Sequence, residues 1–163
     1  MTSTTPVPAG ELSTGAEQLR SLRFGWTWLF LWACFGIALE AMHGFKIGGY
    51  LDDELGRLLL RLGHAHGVGT ALVVLVYSAV GVPLLRLRPD GGRRVGRWLR
   101  AGAVALPMGF AASALGHPEG DPSLAILLVP VGALLILLAL GALMSASFGR
   151  SAADAQGQDP VDR

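Results

Sequence analysis

The feature that most constrains this chain is a succession of long apolar runs. They predict four membrane-spanning helices, over about residues 22–43, 63–85, 98–116 and 123–148. An α-helix rises 1.5 Å per residue, so about 20 apolar residues cross a hydrocarbon core roughly 30 Å thick. With 52% hydrophobic and 15% charged residues among 163, a soluble domain would leave too much apolar surface in water. The expected fold is therefore all-α, a polytopic membrane four-helix bundle.

Polar segments flank this predicted transmembrane domain of residues 21–148. Residues 1–20 are rich in Ser, Thr, Pro and Gly without hydrophobic periodicity, and residues 149–163 are also polar. Both are expected to be disordered cytoplasmic tails. Before the second run, Asp52 and Asp53 suit a helix start, because carboxylates cap free N–H groups. That helix is expected to begin somewhere between Asp52 and His64.

Small residues in the third run predict close helix packing. Ala105, Gly109 and Ser113 recur every four residues, as do Ala112 and Gly116. Such stripes let helices approach each other where lipid supplies no hydrophobic drive.

Arginine placement predicts the orientation. Arg20 and Arg23 precede the first run, and the loop before the third run is arginine-rich, with Arg86, Arg88, Arg93, Arg94, Arg97 and Arg100. The positive-inside rule then places both termini in the cytoplasm. The alternative interpretation of these arginines is nucleic-acid or anionic-lipid binding. The positive-inside rule explains these arginines without a further assumption, so no nucleic-acid partner is expected.

Arginine also replaces lysine almost throughout, since Lys46 is the one lysine, which is typical of a GC-rich bacterial genome. The expected location is the bacterial inner membrane. The expected partners are the lipid bilayer and either further copies of the chain or a larger membrane complex.

All four histidines fall on the same predicted side, away from the arginines. His43 ends the first run, His64 and His66 open the second, and His117 follows the third. Neutral imidazole suits Zn, Cu and Fe, and it also ligates haem. The predicted metal ligands are Glu40, His43, His64, His66 and His117, and the predicted cofactor-binding residues are His43, His64 and His66.

Glu40 is the one carboxylate within the first run. A carboxylate at membrane depth is costly unless it is paired, so it is expected to face the bundle interior, on the same helix face as His43. A structural alternative stays open, in which Glu40 pairs with Lys46, Arg57 or Arg61 and fixes the outer loop. Tyr50 is a further polar residue expected near this site.

The string His64-Ala65-His66-Gly67 is unusual. Residues two apart on a helix point about 200° from each other, so they cannot bind one metal together. Either the helix is broken there, which Gly63 and Gly67 would allow, or the two histidines have separate roles. A third interpretation has both simply solvated at the helix end.

Residues 36–70 carry a resemblance. The string from Glu40 to Lys46 (EAMHGFK), followed by Tyr50, Arg57 and the His64–Gly67 string, resembles a group of small bacterial inner-membrane proteins with no known activity. The resemblance implies the same location and adds no reaction.

Two functions follow from these patterns. The first is a His/Glu site at the extracytoplasmic face that binds a metal ion (Zn, Cu or Fe) or haem for redox or metal-dependent chemistry. The alternative is an accessory subunit or a small proton- or ion-coupled transport component without catalytic activity.

Overall fold

The computed structural model describes residues 9–85, 89–116 and 121–156. The described part is all-helical and contains no strand, which confirms the predicted class. The helices are α1 (Ala9–Gly44), α2 (Gly48–Leu51), α3 (Glu54–Val76), α4 (Val82–Leu85), α5 (Pro89–Ala114) and α6 (Leu128–Gln156). A π-helical turn, Tyr77–Gly81, joins α3 to α4, and a 3₁₀ turn, Leu124–Leu127, precedes α6.

Three helical stretches are long and apolar enough to cross a membrane. They are Thr14–Gly44, Glu54–Gly81 and Leu124–Gly149, and they contain most of the predicted first, second and fourth spans. The predicted third span lies in α5, which is not among them. This helix carries arginines in its first half and many Gly and Ala residues after them, which lower its hydropathy. A crossing by α5 stays a prediction.

The four long helices pack with α5 at the centre. It contacts α3 on one side and α6 on the other, while α1 packs mainly on α3. Each of the long helices α1, α3, α5 and α6 runs antiparallel to the next one in the chain, because short connections join their ends. The core contains Val74 and Tyr77 from α3 and the π turn, Leu99 and Ala103 from α5, and Ala139 from α6.

Small residues allow α5 and α6 to approach closely. A Cβ on Gly132 would lie 2.4 Å from the backbone nitrogen of Leu106, and one on Gly109 would lie 2.9 Å from that of Val129. Ser113 is fully buried, and its hydroxyl donates to the Gly109 carbonyl at 2.6 Å. Gly109 and Ser113 thus belong to the close-packed face that the sequence predicts, whereas Gly116 is exposed and meets no neighbour.

Helix α3 begins where the acidic pair predicts. Asp53 is its N-cap, and its side chain accepts a hydrogen bond of 2.8 Å from the Gly56 backbone N–H. At the other end, the Val82 N–H donates to the Tyr77 carbonyl five residues back. This wider turn directly precedes Pro83, whose ring and missing N–H disturb a regular α-helix.

Both predicted tails differ from expectation in the described residues. Residues 9–20 belong to α1, and residues 149–156 continue α6. At the N-terminal end the physical reason is a polar contact, because Glu17 is 4% exposed and pairs with Arg100. The remaining residues of the two predicted tails lie outside the described ranges.

Large apolar side chains cover the outside of the bundle. Trp26, Phe30 and Ile37 on α1 and Leu134 and Leu137 on α6 are all more than half exposed. In the candidate spans of α1 and α6, only 17% and 11%, respectively, of the most apolar 18-residue stretch is buried inside the molecule. A soluble monomer rarely exposes so large an apolar surface, so this surface is compatible with a membrane protein.

Replacing Gly132 by Ala should destabilise the bundle. The added methyl group meets backbone of α5 that cannot move aside, and overpacking of this kind costs about 1–3 kcal/mol. The free energy of unfolding in mixed detergent micelles measures the effect. The matched control is Gly141→Ala on the same helix, where a Cβ meets nothing within 4 Å. Equal stability of the two variants would contradict the close α5–α6 contact.

Candidate functional site

A polar cleft between α1 and α3 contains three of the predicted site residues. Its volume is about 360 Å³, and Glu40, Arg61 and His64 line it together with apolar residues of α1. Glu40 comes from the last turns of α1, while Arg61 and His64 lie one turn apart on α3. The α1–α3 cleft thus combines a carboxylate, a guanidinium and an imidazole within one concavity.

His64 is held in a defined orientation. Its Nδ1 lies 2.9 Å from the Trp32 carbonyl oxygen, and a carbonyl can only accept, so Nδ1 carries the proton. In the neutral ring Nε2 is then unprotonated and able to accept a proton or bind a metal. The ring packs on Gly36, where a Cβ would lie 2.3 Å from its Cε1 atom. Helix α1 therefore both orients the imidazole and leaves the space for it.

The prediction that Glu40 faces the bundle interior is wrong. The Glu40 side chain is exposed and lies at the wall of the α1–α3 cleft. The residues that share the cleft with it are Arg61 and His64, and His43 is not among them. The positions of α1 that face the bundle at this height are Gly36 and Leu39, which are buried, and Glu40 lies off that face.

His66 faces a different helix. Its Nδ1 lies 2.8 Å from the Leu62 carbonyl oxygen of its own helix, and its ring stacks on Phe110 of α5 with centroids 5.0 Å apart. His64 packs on α1 and His66 on α5, as the separation of about 200° requires. Helix α3 is continuous through Gly63 and Gly67, so the helix break is wrong and the two histidines have separate surroundings.

The remaining polar residues of the predicted site lie near the start of α3 and do not enter the α1–α3 cleft. Arg57 donates to the Leu51 carbonyl, and Tyr50 is buried beside it, so both fix the short connection between α2 and α3. His43 and Lys46 are exposed at the end of α1, and Lys46 adopts a left-handed backbone with φ of 53°.

Metal and haem binding stay predictions. Within residues 9–85, 89–116 and 121–156, no three His, Cys, Asp or Glu side chains lie close enough to hold a metal ion together. His117, the fourth predicted histidine, lies outside the described residues. The described donors in the cleft are His64 Nε2 and the Glu40 carboxylate. That is one fewer than the three protein ligands of a catalytic zinc site.

A column of aromatic rings on α1 lies beside the cleft. Phe24, Trp28, Trp32 and Phe35 follow one face of α1, with successive ring centroids 5.7, 5.8 and 5.2 Å apart. Trp28 donates its indole N–H to the Ala103 carbonyl at 2.9 Å, which ties the column to α5. The Trp32 ring packs on Gly67 of α3. Three of these rings also line an open apolar groove of about 280 Å³ against α5, so the region next to the cleft is apolar.

A second polar cluster lies at the other end of α1, and sequence reasoning missed it. An Arg100 guanidinium nitrogen donates to Glu17 Oε1 at 2.5 Å and to the Ser21 hydroxyl oxygen at 2.6 Å. The Ser21 hydroxyl itself donates to the same carboxylate oxygen at 3.1 Å. A Cβ on Gly96 would lie 2.0 Å from that oxygen, so a glycine is needed beside the pair.

The signal for this cluster was present in the sequence. Arg100 is the one ionisable residue within the predicted third span, and a charge at that depth requires a partner. Glu17 and Ser21 are four residues apart, which places them on one helix face. A disordered tail over residues 1–20 has no helix face on which Glu17 and Ser21 could meet Arg100.

Truncation of Glu17 to Ala should cost about 3–5 kcal/mol, because it leaves the Arg100 charge buried without a counter-charge. Removing both charges, with Glu17→Ala and Arg100→Leu together, should cost less than the sum of the two single changes. Unfolding free energies of the four proteins give the coupling.

The control for that cycle is Arg20→Ala. Arg20 also approaches Glu17, at 3.6 Å, but its side chain is 63% exposed, so its loss should cost only about 0–1 kcal/mol. Strictly additive effects of the Glu17 and Arg100 changes would disprove the pairing.

Comparison with known proteins adds no assignment: no family model, curated protein or solved structure matches this chain. The resemblance of residues 36–70 to small inner-membrane proteins stays an expectation.

Proposed function

We propose that the chain is a four-span protein of the bacterial inner membrane, with α5 as the third crossing. Helix α5 lies between two candidate spans, α3 and α6, and contacts both. Its inward side chains Leu99, Ala103 and Leu106 are buried against them. Its one deep charge, Arg100, is compensated by Glu17. The low hydropathy of α5 is then no obstacle, because protein and not lipid surrounds most of its surface.

The same proposal places the arginine-rich end in the cytoplasm. Arg20 of α1 and the arginines of α5 lie at one end of the bundle, since Arg100 reaches Glu17 across the two helices. Glu40 lies 20 residues after Arg20 on α1, a rise of about 30 Å, which matches the hydrocarbon thickness. The positive-inside rule then puts both termini in the cytoplasm and the α1–α3 cleft at the outer face.

Within the membrane the chain acts as a non-catalytic accessory component, and the α1–α3 cleft is its outer-face site for a polar group of a partner. The observation that supports this function most is the aromatic column beside the cleft. Among the described residues, rings and aliphatic side chains separate the charged groups of the two ends, so charged side chains form no continuous path through a single bundle. Charged groups at the cleft can therefore act only on molecules that meet the outer face.

Metal or haem binding is the second candidate, and one observation favours it. The hydrogen bond from Nδ1 of His64 to the Trp32 carbonyl leaves Nε2 free, the arrangement that orients most metal-binding histidines. Glu40 would be the second donor in the cleft. Arg61 lines the same cleft, and its positive charge opposes a cation. A third ligand would have to come from outside the described residues, where His117 lies.

Reporter fusions test the number of crossings. A reporter after Arg163 should be active in the cytoplasm, and one inserted at Gly49 should be active outside it. Because three crossings would place the two termini on opposite sides, an extracytoplasmic C-terminus would exclude the crossing by α5. A fusion at the N-terminus of the same protein is the matched control.

Reconstitution tests the accessory role. The purified chain in liposomes should dissipate an imposed proton gradient no faster than empty liposomes, because apolar rings and aliphatic side chains separate the charged groups of its two ends. From native membranes, gentle detergent should release the chain in a stoichiometric complex with another protein, and Glu40→Gln should weaken that complex. Glu54→Gln, an exposed carboxylate on the first turn of α3, is the matched control. Proton flux through the chain alone, lost in Glu40→Gln, would overturn the role.

A further inference from the structure

A second cavity lies at the arginine-rich end, distant from the α1–α3 cleft. Its volume is about 430 Å³, and its walls are almost entirely charged: Arg20, Asp90, Arg93, Arg94 and Arg97. One arginine comes from α1 and three come from the first turns of α5. We call it the arginine cavity. Four guanidinium groups thus face one concavity with a single carboxylate among them.

The spacing along α5 makes this convergence possible. Residues 90, 93, 94 and 97 are separated by three and four positions, so they share one face of the helix. Like charges at these spacings repel each other, and cations near a helix N-terminus also oppose the helix dipole. These interactions raise the free energy of the protein without a bound anion. An anion in the cavity would make the electrostatic contribution favourable.

The neighbouring acidic groups do not neutralise the cavity. Glu17 lies closest to Arg100, at 2.5 Å, and approaches Arg20 only at 3.6 Å. Asp90 is the one carboxylate in the wall. The cavity therefore keeps an excess of positive charge next to the end of the apolar outer surface of the bundle.

Topology alone does not explain this geometry. The positive-inside rule depends on the number of Lys and Arg residues near a span and on their side of the membrane, not on where their side chains meet. Arg23 satisfies that rule equally well, yet it does not line the cavity. Convergence of arginines from two different helices therefore requires another cause.

We propose that the arginine cavity binds the phosphate group of an anionic molecule, either the headgroup of an anionic phospholipid or free phosphate. Guanidinium groups match phosphate oxygens with paired N–H donors, which lysine cannot do. Several arginines around one phosphate also neutralise its negative charge together. Leu19 and Leu22, next to Arg20 on α1, are exposed apolar side chains, so the cavity lies beside the apolar surface and within reach of a lipid headgroup. The site is independent of the proposed accessory role.

Native mass spectrometry of the full chain in nanodiscs tests the lipid source. In discs of phosphatidylcholine with added phosphatidylglycerol, the protein should retain one phosphatidylglycerol molecule preferentially. Arg97→Gln should weaken retention about fivefold, and Arg93→Gln with Arg97→Gln about 25-fold, given about 1 kcal/mol per arginine near an anionic surface. Arg23→Gln, which removes the same charge from the same end outside the cavity, is the matched control and should retain the lipid.

Inorganic phosphate tests the free-anion source. If phosphate displaces phosphatidylglycerol, or binds alone in detergent with the same order of loss among the variants, the cavity is a phosphate site of soluble origin. Far-ultraviolet circular dichroism and the topology reporters confirm that each variant is folded and inserted.

Two results would overturn the proposal. One is equal weakening by Arg23→Gln and Arg97→Gln, which would mean diffuse charge attraction only. The other is no preference for phosphatidylglycerol over phosphatidylcholine together with no binding of phosphate.

Discussion

The ion pair between Glu17 and Arg100 is the contact on which the arrangement of the helices depends. It joins α1 to α5, which are separated in the sequence by α3, and it is shielded from solvent on both sides. A pair at such a place is stable only if each charge keeps its hydrogen-bonding partner. Ser21 donates to the same carboxylate oxygen as Arg100, Gly96 leaves the space for that oxygen, and Arg20 approaches the other oxygen at 3.6 Å. The pair thus fixes the register of the first long helix against the third, and it explains why α1 starts well before its apolar run.

The apolar runs and the acidic N-cap were sufficient to predict the all-helical class, three helices that are long and apolar enough to cross a membrane, and the start of α3. Local patterns specify local structure, and hydrophobic length and Asp53 are local patterns. The orientation of the histidines was only half predictable, because helical geometry separates His64 from His66 but does not say which neighbour each meets. The helical residues 9–20 were not predictable from periodicity, since a tertiary contact with Arg100 stabilises them. The cost of a carboxylate at membrane depth does not determine which face of α1 Glu40 lies on, and the buried positions beside it are Gly36 and Leu39.

The molecule divides its polar groups between two ends with opposite character. At one end a mixed set, Glu40, Arg61 and His64, lines an open cleft, and the protonated Nδ1 of His64 leaves a basic nitrogen there. At the other end nearly all the charge is positive and arises from two helices. The rings of α1 lie between them, and the indole N–H of Trp28 donates to the Ala103 carbonyl. Such a division suits a protein that meets different chemistry on each side of a membrane.

The π-helical turn at Tyr77–Gly81 has an evolutionary consequence. A turn of this kind is equivalent to one residue inserted into an α-helix, and everything after it is rotated by about 100° relative to a regular helix. The turn buries Tyr77, whose hydroxyl donates to the Gly92 carbonyl at 2.7 Å near the start of α5. Loss of a single codon within this stretch would restore the regular helix and turn the following segment toward a different neighbour. The length of this stretch therefore determines which neighbour the segment after it meets.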